Sequence, residues 1–335
     1  MLSDSTSKNY ETIYNTSYKN CIDFLTEDAK ANAELGRIDK KEAVKIFPES
    51  SLQRYFVYSN LYEKLIDLAD SRCRYCWMIN NHCLCGKLKP FTFLPQWKKD
   101  VQAENCTLLN GKKAELNLHL HFLMHKKEFH KSTNSCKILL HSDMTQSTHL
   151  YIDQHEMHEE AIKGMIEMAA SPKSNHFVYV LFPSEDSACV QDTVPKDLDN
   201  LYQSLQPTDV KPMDFHFHVF VIDGTWNEAR MLNRRESFEK VKRLKIDVPS
   251  DYNYVFKLVR TGKVEGRIST IEAVTLLLQD FNKLGTSEVT LPNSGITFKE
   301  SEVSKDFNDS ITAIYDNLNE MIEISGVKYR RHHTK

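Results

Sequence analysis

The sequence is poor in glycine and proline, with 10 of each in 335 residues. That excludes collagen-like and Pro/Gly-rich low-complexity chains. No apolar run reaches the roughly 18 residues of a membrane-spanning helix, so no membrane partner is expected. The start, Met1 to Asn9, lacks the apolar stretch of a secretory signal. The expected compartment is therefore intracellular and reducing, cytoplasmic and/or nuclear. Charge of one sign does not dominate: 43 Lys and Arg stand against 46 Asp and Glu, a net of −3. A chain that is basic throughout is thus excluded, and no internal repeat is visible. What is there, 41% hydrophobic and 27% charged residues, suits a folded protein with a core. The length allows one large domain or two modest ones.

The average charge hides basic stretches. Ser71 to Asp100 carries six Lys and Arg against Asp100 alone, a local +5. Arg230 to Lys245 carries seven against Glu236 and Glu239, again +5. The tail from Lys328 to Lys335 has no acid. Such patches either neutralise phosphates or form solvated helix faces and a frayed end.

Residues 1 to about 45 show weak periodicity and read as a poorly ordered or appended segment. Pro48 to Asp70 has a helical apolar stripe. Leu116–Met124 begins with strict alternation, the mark of a strand. Short apolar runs follow at 137–140, 148–152, 176–182, 215–222 and 252–258. Helical patterns at 155–170, 226–243 and 269–284 separate several of them. Strands alternating with helices predict an α/β domain with a mainly parallel sheet. Thr225-Trp-Asn-Glu228 and Ser269-Thr-Ile-Glu272 both fit the capping box, in which hydroxyl and carboxylate each take an orphan amide. Asp223-Gly224-Thr225 therefore lies where a strand ends and a helix starts, the place where open α/β sheets bind ligands.

Four of the 8 cysteines crowd together as Cys73-x2-Cys76-x6-Cys83-x-Cys85. Four thiolates can close a tetrahedral shell around structural Zn²⁺. His82 could replace one sulfur, and four reduced buried thiols are the plainer alternative. A redox role is weaker, because only one Cys-x-x-Cys exists. Tyr75, Trp77, Phe91, Phe93 and Trp97 interleave with the cations here, a pairing that suits RNA.

Asp223-Gly-Thr-Trp226 followed by Ala229-Arg230 resembles the signature of the DTW-domain family. These are tRNA-uridine aminocarboxypropyltransferases in the knotted SPOUT superfamily. The cysteine knuckle, His125-Lys-Lys-Glu128, Asn134-Ser135, Leu181–Asp186 and Ser269–Ala273 resemble further elements of that family in the same order. Lys126 departs from the usual Pro, Ser135-Cys136 from a common Thr-Gly, and the knuckle lacks a Pro between its cysteine pairs.

The resemblance implies a trefoil-knotted, mainly parallel sheet flanked by helices. The expected division is an extension at 1–70, partly disordered or helical and without a counterpart in the resemblance, a zinc knuckle at 71–100, a catalytic domain at 101–325 and a basic tail at 326–335. It also implies transfer of the 3-amino-3-carboxypropyl group of S-adenosylmethionine to N3 of a uridine in tRNA, with 5′-methylthioadenosine as the other product. Zn²⁺ on Cys73, Cys76, Cys83 and Cys85 would be structural. The donor would lie against Phe182, Pro183, Glu185, Asp223, Thr225, Trp226, Ser269, Thr270 and Glu272, in loops 182–186, 223–226 and 267–270. Asp223 is the catalytic candidate, as the base for the N3 proton or as a positioning group. Trp226 either walls the adenine or packs the core. His125 and Glu128 would face the uridine, and Arg230, Lys87 and Lys89 would meet RNA phosphates. The rival readings are a SPOUT-type RNA methyltransferase, an aminocarboxypropyltransferase for ribosomal RNA, and a zinc-dependent RNA-binding protein without catalysis. Oligomeric state is left open.

Overall fold

Two periodicities build the chain: alternation in the strands and one-sided apolar stripes in the helices. The structure, a computed structural model, describes residues 17–92, 97–99, 101–102, 114–144, 147–204, 214–249, 268–286, 289–290, 297–298 and 305–332. The first half contains α1 (Tyr18–Ala31), α2 (Ala33–Arg37), α3 (Lys40–Ile46), α4 (Glu49–Tyr62), β1 (Trp97–Lys99), β2 (Val101–Gln102), β3 (Ala114–Met124), α5 (Cys136–Ser142), β4 (Thr148–Ile152) and α6 (Glu156–Ala169). The second half contains β5 (His176–Leu181), α7 (Val190–Ser204), β6 (Phe215–Asp223), α8 (Trp226–Asn233), β7 (Lys242–Leu244), α9 (Thr270–Thr286), β8 (Val289–Thr290), β9 (Thr297–Phe298) and α10 (Lys305–His332).

Five strands are parallel, in the order β4-β3-β6-β5-β7. The short β1 adds antiparallel to the start of β3. Parallel strands need both faces covered, and alternation sorts the side chains accordingly. Leu118, Leu120 and Phe122 of β3 join Phe215, Phe217 and Val219 of β6 on one face. There they meet Ile22 and Leu25 of α1, Ile138 of α5, Val194 of α7, Ile271 of α9 and Leu318 of α10. On the other face, Leu123, Val180 and Phe220 pack against Ile162 and Met165 of α6 and Leu232 of α8.

The amino half of that second face is different. It carries His119 and His121 of β3, His149 of β4, His176 of β5, and His216 and His218 of β6. Register places His121 beside His149, His119 beside His218, and His176 beside His216. His121 Nε2 and His218 Nδ1 lie 3.0 Å apart, and His218 Nε2 and His176 Nδ1 lie 2.9 Å apart. Burial, reinforced by neighbouring imidazoles, pushes His119 down to about 3, and burial pushes His149 to about 4. Through these contacts His121, His218 and His176 form a chain of rings that serve as donor and acceptor in turn, and His149 stacks on His121.

Four local expectations are corrected. The weak patterning of residues 1–45 does not mean poor order at 18–31: α1 buries Ile22, Leu25 and Ala29, and Tyr18 donates to the Tyr75 carbonyl at 2.7 Å. The apolar run 137–140 is helix α5 and no strand, because a short buried helix reads like a buried strand. The helix expected over 226–243 stops at Asn233, and Lys242–Leu244 pairs with β5. Residues 305–332, within and before the expected tail, form one helix. The strand expected at 252–258 lies outside the described residues. No described helix is long and apolar enough to cross a membrane.

Candidate active site and cysteine knuckle

Three parallel strands, β3, β4 and β6, end side by side, and a polar residue follows or closes each. Asp223 is the last residue of β6 and is buried. The His125 amide donates to the Asp223 carbonyl at 2.9 Å, and the Asp153 amide donates to the Met124 carbonyl at 2.9 Å. The Asp223 carboxylate is fixed from two sides. Thr270 Oγ1 donates to Oδ1 at 2.6 Å. Asn134 Nδ2 donates to Oδ2, and the Cys136 thiol approaches the same oxygen at 3.7 Å. Asn134 is oriented in turn, because its Oδ1 accepts the Cys136 amide at 3.0 Å.

Both expected capping boxes are present. Thr225 N and Oγ1 each donate to Glu228 Oε2 at 2.8 Å. Ser269 N and Oγ donate to Glu272 Oε2 at 2.9 and 2.6 Å. These bonds cap α8 just after Asp223 and α9 at Thr270, whose hydroxyl reaches the Asp223 carboxylate. Glu228 also lies 3.2 Å from His125 Nδ1. Burial pushes the His125 imidazole below its ordinary value, against the pull of Glu228. Burial likewise raises Asp153, although Arg235, His125 and Lys126 oppose it.

The remaining predicted residues fall at different distances from Asp223 in role. Phe182 is buried and stacks on Trp226, with ring centroids 5.5 Å apart and planes 17° apart. Trp226 remains 37% exposed, so one face of the indole is not core. Pro183 and Glu185 are exposed on the loop after β5. Glu128 pairs with Lys131 at 2.6 Å rather than with His125. Arg230 is exposed and donates to Asn227 at 2.7 Å. Lys87 and Lys89 pair with Glu320 and Asp316 of α10, each at 2.6 Å. Part of the expected loop 267–270 lies outside the described residues. Sequence reasoning assigned no site role to Asn134, Cys136, Lys137 or Asp153. A polar residue directly after a buried strand was the signal for Asp153, and the Asn134-Ser135 element was the signal for Asn134.

The knuckle brings the Sγ atoms of Cys73, Cys76, Cys83 and Cys85 within 4.8 Å of one another. Cys73 and Cys85 are 3.5 Å apart, and Cys76 and Cys83 are 3.6 Å apart. These separations are far beyond a disulfide bond and match the edges of a tetrahedral thiolate shell around one ion. The Leu84 amide donates to Cys76 Sγ at 3.3 Å. Hydrogen bonds from Cys73 and Cys85 hold the Cys76 thiol well below the ordinary range, which favours a thiolate ligand. The chain turns between the two halves at Trp77, whose φ of 58° is left-handed. The four cysteines fit a metal such as zinc.

A model of the DTW domain matches residues 70–323. The chain belongs to the DTW domain family, which includes tRNA aminocarboxypropyltransferases. No curated protein and no solved structure matches the chain.

Proposed function

We propose that the chain transfers the 3-amino-3-carboxypropyl group of S-adenosylmethionine to N3 of a uridine in tRNA. The observation that carries this reading is Asp223, fixed by Asn134 and Thr270 between two capped helix starts. The donor supplies a sulfonium with an electrophilic methylene. The residues present suit it. First-turn amides of α8 and α9 match a carboxylate, and the exposed face of Trp226 matches an adenine ring.

In this reading Asp223 acts first as an oriented negative charge. Each of its oxygens already accepts a hydrogen bond, which fixes its direction. Such a charge favours one pose of a sulfonium over another, and the pose decides which carbon is attacked. In this reading His125, whose imidazole burial pushes below its ordinary value, takes the uridine N3 proton. Pro183, Glu185, Thr225, Ser269 and Glu272 shape the donor loops. Arg230, Lys87 and Lys89 meet RNA phosphates. The two knuckle lysines would exchange exposed acid partners for them, and such pairs hold weakly. Zinc on the four cysteines is structural, since a closed shell leaves no open position. The trefoil-knotted SPOUT topology belongs to the same reading and is supported by the parallel sheet with its site at the carboxyl ends of the strands.

The test is to incubate the purified chain with S-adenosylmethionine and unmodified tRNA, then analyse nucleosides and small products by mass spectrometry. Aminocarboxypropyl-uridine together with methylthioadenosine is expected. Methylated nucleoside with adenosylhomocysteine would overturn the reaction, and bound tRNA without product would leave only an RNA-binding protein.

A further inference from the structure

Lys137 is 1% exposed, yet its side chain ends in an amine that is an ammonium in water. Its Nζ donates to the Ser132 carbonyl at 2.6 Å and approaches Met78 Sδ at 3.4 Å. Among the described residues no carboxylate pairs with it. A buried ammonium with only neutral partners is costly. Burial pushes this amine down to about 7 and Arg72 adds to the fall, while the thiols of Cys76, Cys136 and Cys73 pull it back up. Two of these belong to the knuckle, and Met78 lies two residues beyond Cys76. Four thiolates around one Zn²⁺ form a net dianion, so a loaded knuckle is the counter-charge this lysine lacks.

The other contact of Lys137 faces the candidate active site. Ser132 lies two residues before Asn134 in the loop between β3 and α5, and Cys136 precedes Lys137 at the start of α5. Asn134 and Cys136 both reach Asp223 Oδ2. We propose that Lys137 is a positioning residue: the buried counter-cation of the metal-loaded cysteine knuckle, which ties that knuckle to the loop orienting Asp223. The metal then does more than close a small module. Its charge holds the ammonium, the ammonium holds the Ser132 carbonyl, and the loop sets the direction of the Asp223 carboxylate.

The knuckle half of the proposal does not depend on the proposed reaction, and its test needs neither donor nor RNA. Zinc transfer from the full-length zinc-loaded protein to a chelator would be followed for wild type, Lys137→Met and Lys137→Arg. Hydrogen exchange at the amides of residues 132–137 would be measured on the same samples. Removing a group that supports metal ligands from outside the shell typically costs tenfold or more in affinity. Lys137→Met is expected to release zinc about tenfold more readily and to exchange faster at the Cys136 amide. Lys137→Arg, which keeps the charge, is expected to stay within about twofold of wild type. Wild-type zinc retention in Lys137→Met would overturn the proposal, as would equal losses in the two variants, which would point to shape and not charge. If Lys137→Met does not fold, Lys137→Arg decides: retention near wild type agrees, and a tenfold loss contradicts. Failure of the transferase reading would instead appear as absence of product with zinc retention still dependent on residue 137.

Discussion

At the amino end of the sheet, His119, His121, His176, His216 and His218 pair through ring nitrogens across three strands, and His149 of a fourth stacks on His121. At the carboxyl end, Asp223 takes its partners from loops and helix starts, namely Asn134 before α5 and Thr270 at the start of α9. Both regions bury polar groups beside the same apolar core. The seam favours neutral rings, because burial and neighbouring imidazoles both penalise a charge on them. The Asp223 end keeps a charge in place with donors directed at it. The difference separates two tasks: the amino end contributes packing, and the carboxyl end holds an oriented carboxylate, which the proposed function puts to use.

The largest effect is expected at the knuckle, whose cysteines pack against the apolar core beneath the sheet. Cys83→Ser is predicted to lose zinc and to lower the melting temperature by about 10 °C or more, because binding energy of a structural metal is folding energy. Metal analysis and calorimetry on one sample check this, and a metal-free variant melting like wild type would refute it. Thr270→Ala should affect only the carboxyl end. Losing one charged hydrogen bond to Asp223 is predicted to slow transfer about tenfold with little change in melting temperature. Steady-state rates beside a melt would expose the error if stability fell instead.

Acid sharpens the contrast from the other side. Folded His119 sits at about 3, and His149 and His176 at about 4, against an ordinary 6.5. The unfolded chain takes up these protons first, so the contribution of the neutral seam is complete above pH 6.5 and is lost as pH falls toward 4. Melting temperatures recorded from pH 7.5 to 5 should therefore fall, and His119→Gln with His176→Gln should flatten the slope. An unchanged slope would remove these rings as its source. The smallest effect expected is at the cap. Thr225→Ala is predicted to cost about 1 kcal/mol by denaturant unfolding, from loss of the hydroxyl that accepts the Glu228 amide.

Much of the carboxyl end was legible in the sequence. Alternation marked β3, the strand-to-helix step marked Asp223, and Thr225 with Glu228 and Ser269 with Glu272 marked two helix starts at their observed places. Cysteine spacing marked the knuckle. These are local signals, carried within a few residues. The amino-end seam was not legible, because six scattered histidines become neighbours only through the register of four strands. The same holds for Lys137, whose partners come from the knuckle and the loop before α5. Helix α1 was missed because its stripe of Ile22, Leu25 and Ala29 is thin within a polar segment. Lys87 and Lys89 looked like free cations because their partners on α10 lie more than two hundred residues away.

The central claim is that the oriented carboxylate of Asp223 makes this crevice a transferase site. Asp223→Asn keeps the size of the side chain and removes its charge. Aminocarboxypropyl transfer to tRNA should be measured by mass spectrometry for this variant and for wild type, with tRNA binding and melting temperature followed in parallel. The account predicts transfer lowered about a hundredfold or more, with tRNA binding nearly unchanged. Transfer at the wild-type rate in a folded Asp223→Asn protein would contradict it.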